Sequence, residues 1–161
     1  TTLFRSLEAV QKNFDLSHLR EYCVEAGRPD TITLEKLETL KRFGVDRISV
    51  NPQTMQDNVL ETIGRKHTTA QTVEAFHMAR KAGFENINMD LIAGLPGDTP
   101  DGFHDTLNQI LALNPDSITV HALTLKRAAN LFSEGERQVH NPVEQMVQES
   151  MRRLPEHGYA P

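Results

Sequence analysis

The chain has no tryptophan and a single cysteine, Cys23, among its 161 residues. One cysteine cannot form an intramolecular disulfide and cannot supply a complete cysteine cage for a metal, and such a low count is typical of a reducing compartment. No apolar run approaches the roughly 20 residues that a membrane-spanning helix needs, and no signal peptide is recognisable. The sequence therefore predicts a cytoplasmic protein with no membrane partner.

The chain also lacks an excess of positive charge. Lysine and arginine together number 17 against 22 acidic residues, which leaves a net charge of -5. The basic residues are scattered and do not form the stripe that nucleic-acid binding requires, so we expect no nucleic-acid partner. With 38% hydrophobic residues, the chain can build one ordinary core. We expect a single domain over residues 1–161, truncated at both ends, because the first residue is not Met.

Several catalytic motifs are missing. There is no GxGxxG, no GxxxxGK[ST] and no HExxH, so the sequence does not support dinucleotide, P-loop or zinc-protease chemistry. No predicted strand carries a lysine, which argues against a Schiff-base aldolase. No strand pairs a serine or cysteine with a histidine, so we predict no catalytic nucleophile in the chain.

Short apolar runs alternate with longer amphipathic stretches in the order αβαβαβαβα. Strands that alternate with helices of about 10–15 residues are typical of βαβ units and a parallel sheet. Four strands fit an open doubly wound sheet or part of a partial barrel, and in both cases the fold class is α/β. We predict strands near residues 21–25, 47–51, 85–93 and 117–124, and helices near 3–13, 34–43, 57–63, 70–82, 100–113 and 142–157.

Reactive groups in parallel α/β proteins gather at the C-terminal ends of the strands. Asp90 is the most informative of these groups, because a carboxylate within an apolar strand is costly unless a partner or ligand satisfies it. A hydrogen bond to a neighbouring strand would satisfy the Asp90 carboxylate equally well. The other polar residues near these ends are Glu25, Asn51, Gln53, His121 and Thr124, with Arg65 one short helix after Gln53.

Simpler interpretations exist for these residues. Glu25 and Gln53 are typical loop-ordering residues, and Arg65 follows a short helix whose C-terminal dipole attracts cations. The Gly94–Gly97 segment favours a tight turn. We expect Cys23 to be a small buried residue and His121 to be a satisfied core histidine, and we expect the other histidines to lie on the surface or to pack.

Four segments in this order resemble one family. They are EAGRPD at residues 25–30, DRISVNPQ at 46–53, IGRKHT at 63–68 and NMDLIAGLPG at 88–97. Together they are similar to the oxygen-independent coproporphyrinogen III oxidases (coproporphyrinogen dehydrogenases) of the radical S-adenosylmethionine superfamily. The resemblance runs from about residue 1 to residue 124 and continues weakly to residue 161.

The resemblance implies part of a parallel (β/α)6 partial TIM-like barrel, about four strands with flanking helices. It implies that Glu25, Gln53, Arg65 and Asp90 contact S-adenosylmethionine, and that Thr124 contacts it through the backbone. The carboxylates and the glutamine suit the ribose diol and the ammonium, and Arg65 suits the carboxylate. The family also uses a [4Fe-4S] cluster, whose Cys-x3-Cys-x2-Cys loop we expect to lie outside this chain.

The implied activity is oxidative decarboxylation of the propionate side chains of coproporphyrinogen III in porphyrin (haem) biosynthesis. The implied enzyme is a radical oxidoreductase when complete, and we expect this part alone to be inactive. Two alternatives stay open: a haem chaperone built on the same barrel without dehydrogenase activity, and an unrelated α/β-barrel enzyme with a phosphate ligand.

Overall fold

The computed structural model describes residues 2–123 and 142–160. Within these ranges the predicted alternation of strands and helices is confirmed. The strands are β1 (Cys23–Gly27), β2 (Arg47–Gln53), β3 (Asn86–Ala93) and β4 (Ser117–Ala122). The helices are α1 (Thr2–Asn13), α2 (Leu34–Arg42), α3 (Asp57–Thr62), α4 (Thr69–Lys81), α5 (Pro100–Leu113) and α6 (Pro142–Glu156), with a 3-10 turn at Pro29–Thr31.

The four strands form one parallel sheet in the order β1-β2-β3-β4. Each strand therefore pairs with its neighbour in sequence, as successive βα units do. The register places Ser49 opposite Asn88 and Asn88 opposite Ser117. Their side chains consequently lie on the same face of the sheet.

Three helices begin at threonine caps: Thr33 and Thr99 are the residues that the sequence predicts, whereas the cap of α4 is Thr68 and not the predicted Thr69. The hydroxyl groups of Thr33, Thr68 and Thr99 each accept a hydrogen bond from a backbone N–H of the first helical turn. Thr68 forms a complete capping box with Gln71. These bonds satisfy donors that a helix start otherwise leaves free, and each contributes about 1 kcal/mol.

The apolar face of the sheet carries the core. Ile48, Val50, Ile87, Met89 and Leu91 alternate along β2 and β3 and are fully buried. Burying side chains of this size stabilises the fold by about 1.5–3 kcal/mol each. The helices cover this face with further buried residues, namely Leu37, Leu40, Ala75, Phe76, Ala79, Phe103, Leu107, Ile110 and Met146.

Three details differ from the predictions. Pro52 does not end β2; the strand continues to Gln53, and the pairing with β3 shifts register between Val50 and Gln53. Such an irregularity accommodates a residue without a backbone N–H. Cys23 was predicted to be buried but is exposed, because it begins β1 at the edge of the sheet. His121 was predicted to lie in the core and is also exposed.

None of the helices in the described ranges is long and apolar enough to cross a membrane.

Candidate functional site

The second face of the sheet is polar along three adjacent strands. Ser49 from β2 and Asn88 from β3 are buried there, and Ser117 and Thr119 from β4 are half-buried beside them. Asp90 follows two residues after Asn88 and therefore shares this face. Buried polar groups require hydrogen bonds, so the connections among these side chains define the site.

Asn88 is the centre of these connections. Its amide nitrogen donates to Ser49 Oγ at 3.0 Å and to Asp90 Oδ1 at 2.6 Å. Its carbonyl oxygen accepts from Ser117 Oγ at 2.9 Å and from Thr119 Oγ1 at 3.0 Å. All four hydrogen-bonding positions of the amide are therefore used.

Arg47 fixes the direction of this network. Its guanidinium donates to Ser117 Oγ at 3.2 Å, so the serine hydroxyl is left to donate onward to Asn88. The Asn88 carbonyl must then accept, and the amide nitrogen must face the Asp90 carboxylate, which can only accept. A chain of hydrogen bonds thus connects Arg47, at the N-terminal end of β2, to one oxygen of Asp90 through Ser117 and Asn88.

Asp90 is half-buried and uses only one of its two oxygens in hydrogen bonds with other described residues. The simpler interpretation, in which Asp90 is a structural carboxylate with a hydrogen bond, holds for Oδ1. The donor is Asn88 on the same strand, however, and not a residue of a neighbouring strand. The other oxygen has no hydrogen bond to any residue in ranges 2–123 and 142–160. Asp90 is therefore an oriented acceptor beside the C-terminal edge of the sheet.

Glu25 and Asn51 form a second polar pair nearby. Asn51 donates from its amide nitrogen to Glu25 Oε2 at 3.1 Å, which joins the C-terminal parts of β1 and β2. The amide oxygen of Asn51 is buried and has no partner in the described part of the chain. A buried acceptor without a donor is unfavourable, and a ligand with N–H or O–H groups would satisfy it.

Gln53 adopts a backbone conformation that is uncommon for its residue type. Its φ is 70°, in the left-handed region, and the residue is only 8% exposed. The side-chain amide makes no hydrogen bond to another described residue. Strained conformations of this kind concentrate at ligand sites, so Gln53 is the strongest single indication of a ligand site at the end of β2.

Arg65 is a half-buried cation without a counter-ion among the described residues. It lies just after the C-cap of α3, and its backbone N–H donates to the carbonyl of Leu60 at 2.9 Å. This position agrees with the simpler interpretation of a helix-end cation. The guanidinium nevertheless donates to no other described residue, which leaves its donors for an anionic group.

The turn after β3 brings this strand against α6. Asp98 N–H donates to the carbonyl of Leu95 at 3.0 Å, and Gly97 has φ 83°. Pro96 and Gly97 then occupy the second and third positions of a type II turn, as the sequence predicted. Gly94 has φ 90°, and a Cβ there would collide with Val143 of α6.

Two contributors to this region were not identified from the sequence. Asn88 is one, and its only signal is that it stands two residues before Asp90 and hence on the same strand face. His67 is the other; it is 2% exposed and its Nε2 lies 3.1 Å from the carbonyl oxygen of Pro52. Thr124, the remaining predicted site residue, lies outside the described residues.

The described ranges do not provide a metal centre. They contain no group of three or more histidine, cysteine, aspartate or glutamate side chains arranged to hold a metal ion. Cys23 therefore does not fit a cluster that needs three or four thiolates. The residues described above offer instead carboxylate, amide and guanidinium groups, which suit a polar organic ligand.

Comparisons with known proteins agree with this picture. The family described as the radical SAM superfamily matches residues 7–110. The oxygen-independent coproporphyrinogen-III oxidase-like protein HemZ of Bacillus subtilis is 45% identical over 157 residues, covering 96% of this chain and 31% of HemZ. The heme chaperone HemW of the same organism is 37% identical, covering 88% of this chain and 38% of HemW.

A solved structure shows the same fold. Coproporphyrinogen III oxidase (HemN) from Escherichia coli, described as a radical SAM enzyme, matches with a TM-score of 0.79 and 27% identity. The match covers 97% of this chain and 37% of HemN. This likeness confirms the predicted fold class, because the four-stranded sheet with its helices is part of a TIM-like radical SAM barrel.

The chain spans about a third of the length of these relatives. The family match covers well over half of the chain, from α1 to α5. The chain belongs to the radical SAM superfamily.

Proposed function

We propose that the C-terminal ends of β1, β2 and β3 hold S-adenosylmethionine through Glu25, Gln53, Arg65 and Asp90, with the Thr124 backbone as a further contact. The observation that carries this proposal is the unused hydrogen-bonding capacity at these strand ends. Gln53 is buried and left-handed, and neither its side-chain amide nor the buried amide oxygen of Asn51 has a hydrogen-bond partner within residues 2–123 and 142–160. A ligand with an ammonium, a carboxylate and a ribose diol offers complementary groups.

Each residue has a distinct task in this proposal. The Arg65 guanidinium binds the ligand carboxylate in a bidentate pair. Asp90 and Glu25 accept from the ammonium and from the diol with the oxygens that receive no hydrogen bond from the described part of the chain. Asn88 holds the Asp90 carboxylate in orientation before the ligand arrives, which reduces the ordering cost of binding.

A calorimetric comparison of S-adenosylmethionine with its decarboxylated analogue tests the role of Arg65 in the complete protein. The wild type should bind S-adenosylmethionine at least about tenfold more tightly than the analogue, since one charge-assisted pair contributes about 1.5–3 kcal/mol. Arg65→Met should remove this preference. The matched variant Arg20→Met, at an exposed position, should retain it. A preference that survives in Arg65→Met contradicts the assignment.

For the complete protein we propose oxidative decarboxylation of coproporphyrinogen III, as an oxidoreductase in haem biosynthesis in the cytoplasm, with residues 1–161 as a single unit of its barrel. The similarity to HemZ supports this proposal. Each propionate that becomes a vinyl group releases carbon dioxide, one proton and two electrons. Radical chemistry supplied by S-adenosylmethionine and a [4Fe-4S] cluster bound outside the described residues would begin that oxidation, and an electron acceptor must complete it.

The similarity to the heme chaperone HemW supports a second candidate, a haem-binding protein without dehydrogenase activity. The two candidates differ in what the complete protein consumes. We expect anaerobic protein with S-adenosylmethionine, reductant and an electron acceptor to release carbon dioxide from coproporphyrinogen III. Stoichiometric haem binding and transfer without carbon dioxide release would favour the chaperone instead.

A further inference from the structure

His67 is a buried histidine in the loop between α3 and α4. It is 2% exposed, and its Nε2 lies 3.1 Å from the carbonyl oxygen of Pro52 in β2. A carbonyl oxygen only accepts hydrogen bonds, so Nε2 carries the hydrogen and donates it. The imidazole therefore ties this loop to the last residues of β2.

Burial favours the neutral form of this imidazole. Desolvation lowers the pKa of His67 and outweighs the opposing effects of the Pro52 carbonyl and of Asp30. With the hydrogen on Nε2, the other ring nitrogen is an acceptor; it is buried and has no partner within the described ranges. The ring thus makes one directed hydrogen bond, and this bond points to the strand end.

The bond to Pro52 acts on two proposed ligand contacts at once. Pro52 precedes Gln53, and holding its carbonyl fixes the peptide plane that leads into the left-handed conformation of Gln53. Arg65 stands two residues before His67 in the same loop. One buried side chain therefore sets the relative position of an amide and a guanidinium that lie on separate elements.

We infer that His67 is a positioning residue for S-adenosylmethionine binding, which it serves by holding Gln53 and Arg65 in a common geometry through the Pro52 carbonyl. This inference rests on the proposed cofactor site. It does not make His67 a ligand contact or a proton donor. The essential property of the side chain is a buried N–H at the position of Nε2.

The variants His67→Gln and His67→Met separate the hydrogen bond from packing. Glutamine and methionine have similar length and volume, but only glutamine has an N–H donor. In the complete protein, calorimetry should show S-adenosylmethionine affinity about tenfold weaker for His67→Met and within about threefold of wild type for His67→Gln. The same pair of substitutions at exposed His77 on α4 should leave affinity unchanged.

Hydrogen exchange provides a readout that does not depend on the ligand. The amides of Gln53 and Arg65 should exchange about tenfold faster in ligand-free His67→Met than in His67→Gln. Equal exchange in the two variants, or equal affinity, overturns the positioning role. If His67→Met fails to fold, His67→Gln decides the question by itself. A folded His67→Gln variant that binds S-adenosylmethionine about tenfold more weakly than wild type overturns the positioning role. Failure of the wild type to bind S-adenosylmethionine overturns the proposed function, and the cofactor role of His67 with it.

Discussion

At the residue scale, Asn88 gives Asp90 a defined orientation. A carboxylate on a strand face has several rotamers, and the 2.6 Å bond from Asn88 selects one of them. The selected rotamer of Asp90 depends on Ser117 and Arg47. Their hydrogen bonds determine which end of the Asn88 amide accepts and therefore which end donates to Asp90. The second oxygen of Asp90, which has no hydrogen bond from another described residue, is thus positioned by residues that we do not propose as ligand contacts.

Asn88→Asp tests this network. The substitution replaces the donor that faces Asp90 with a second carboxylate, so we expect a loss of about 1–3 kcal/mol in unfolding free energy at pH 7. Protonation of one carboxyl at acid pH restores a donor, so the deficit should shrink below about pH 5. Urea unfolding across this pH range measures the effect.

Asn86→Asp is the matched control for that experiment. Asn86 lies on the same strand face and pairs with Arg47 in the sheet register. A carboxylate there faces a cation, so the variant should be neutral or slightly more stable at pH 7. An Asn88→Asp deficit that is independent of pH would contradict the described orientation of the amide.

The backbone conformation of Gln53 could not be predicted from the sequence. Its position at the end of β2 made it a candidate, but a left-handed glutamine is uncommon and no local pattern predicts one. The conformation arises from tertiary constraints, namely the irregular pairing around Pro52 and the bond from His67. Both involve residues that are distant in sequence or that break the regular pattern of the strand.

At the element scale, helix starts and strand alternation were predictable because they depend on local chemistry. Thr33 and Thr99 cap their helices as expected, and α4 begins one residue earlier than predicted, with Thr68 and not Thr69 as its cap. The exposure of strand residues was less predictable, since that of Cys23 and His121 depends on the edge position of β1 and on what covers the polar face. The sequence pattern of a strand identifies its two faces, but not what covers each of them.

Gly94 follows β3 and packs closely against α6, so its substitution tests this contact. Alanine there must adopt φ near 90° and also collide with Val143. We expect Gly94→Ala to lower the unfolding free energy by about 2–5 kcal/mol, the sum of backbone strain and overpacking. Denaturant unfolding of the complete protein measures this loss.

Gly44→Ala controls for the backbone strain alone. Gly44 has φ 81°, but a Cβ there meets nothing within 4 Å. Its substitution should lower the unfolding free energy by about 1–2 kcal/mol. Equal losses for the two variants would mean that α6 does not pack against Gly94.

The side chain of Asp57 joins α3 to α4, and its ionisation makes the free energy of unfolding depend on pH. Its carboxylate accepts from the backbone N–H and the hydroxyl of Thr69, and these bonds lower the pKa of Asp57. Because the folded pKa lies below the unfolded value of about 3.9, the stabilisation is present above that value. It is lost as the pH falls through the folded pKa.

Thermal unfolding of Asp57→Asn should reveal this dependence. The variant should be less stable than wild type by under about 1 kcal/mol at pH 7, because the group is exposed. The difference should begin to narrow below about pH 4 and should close as the pH falls through the folded pKa of Asp57. Asp101→Asn, in the first turn of α5 and exposed, should show a smaller difference. A constant gap from pH 7 to pH 3 would contradict the role given to the Thr69 bonds.

At the scale of the whole molecule, the described residues provide polar groups for an organic ligand and no metal centre. The fold class and radical SAM membership were predictable because four motifs occur in order along the chain, and the comparisons confirm both. The reaction was not predictable to the same degree, since relatives with similar sequences include oxidases and heme chaperones. The groups that distinguish these activities need not lie within the third of those proteins that this chain spans.

The central claim is that Asp90 helps to hold S-adenosylmethionine, and calorimetry of Asp90→Asn in the complete protein tests it most directly. Asparagine keeps the shape and can still accept from Asn88, so the variant should fold with little loss of stability. We expect its affinity for S-adenosylmethionine to fall by at least about tenfold, while Asp105→Asn, exposed on α5, binds as wild type does. Unchanged affinity in Asp90→Asn would contradict the account.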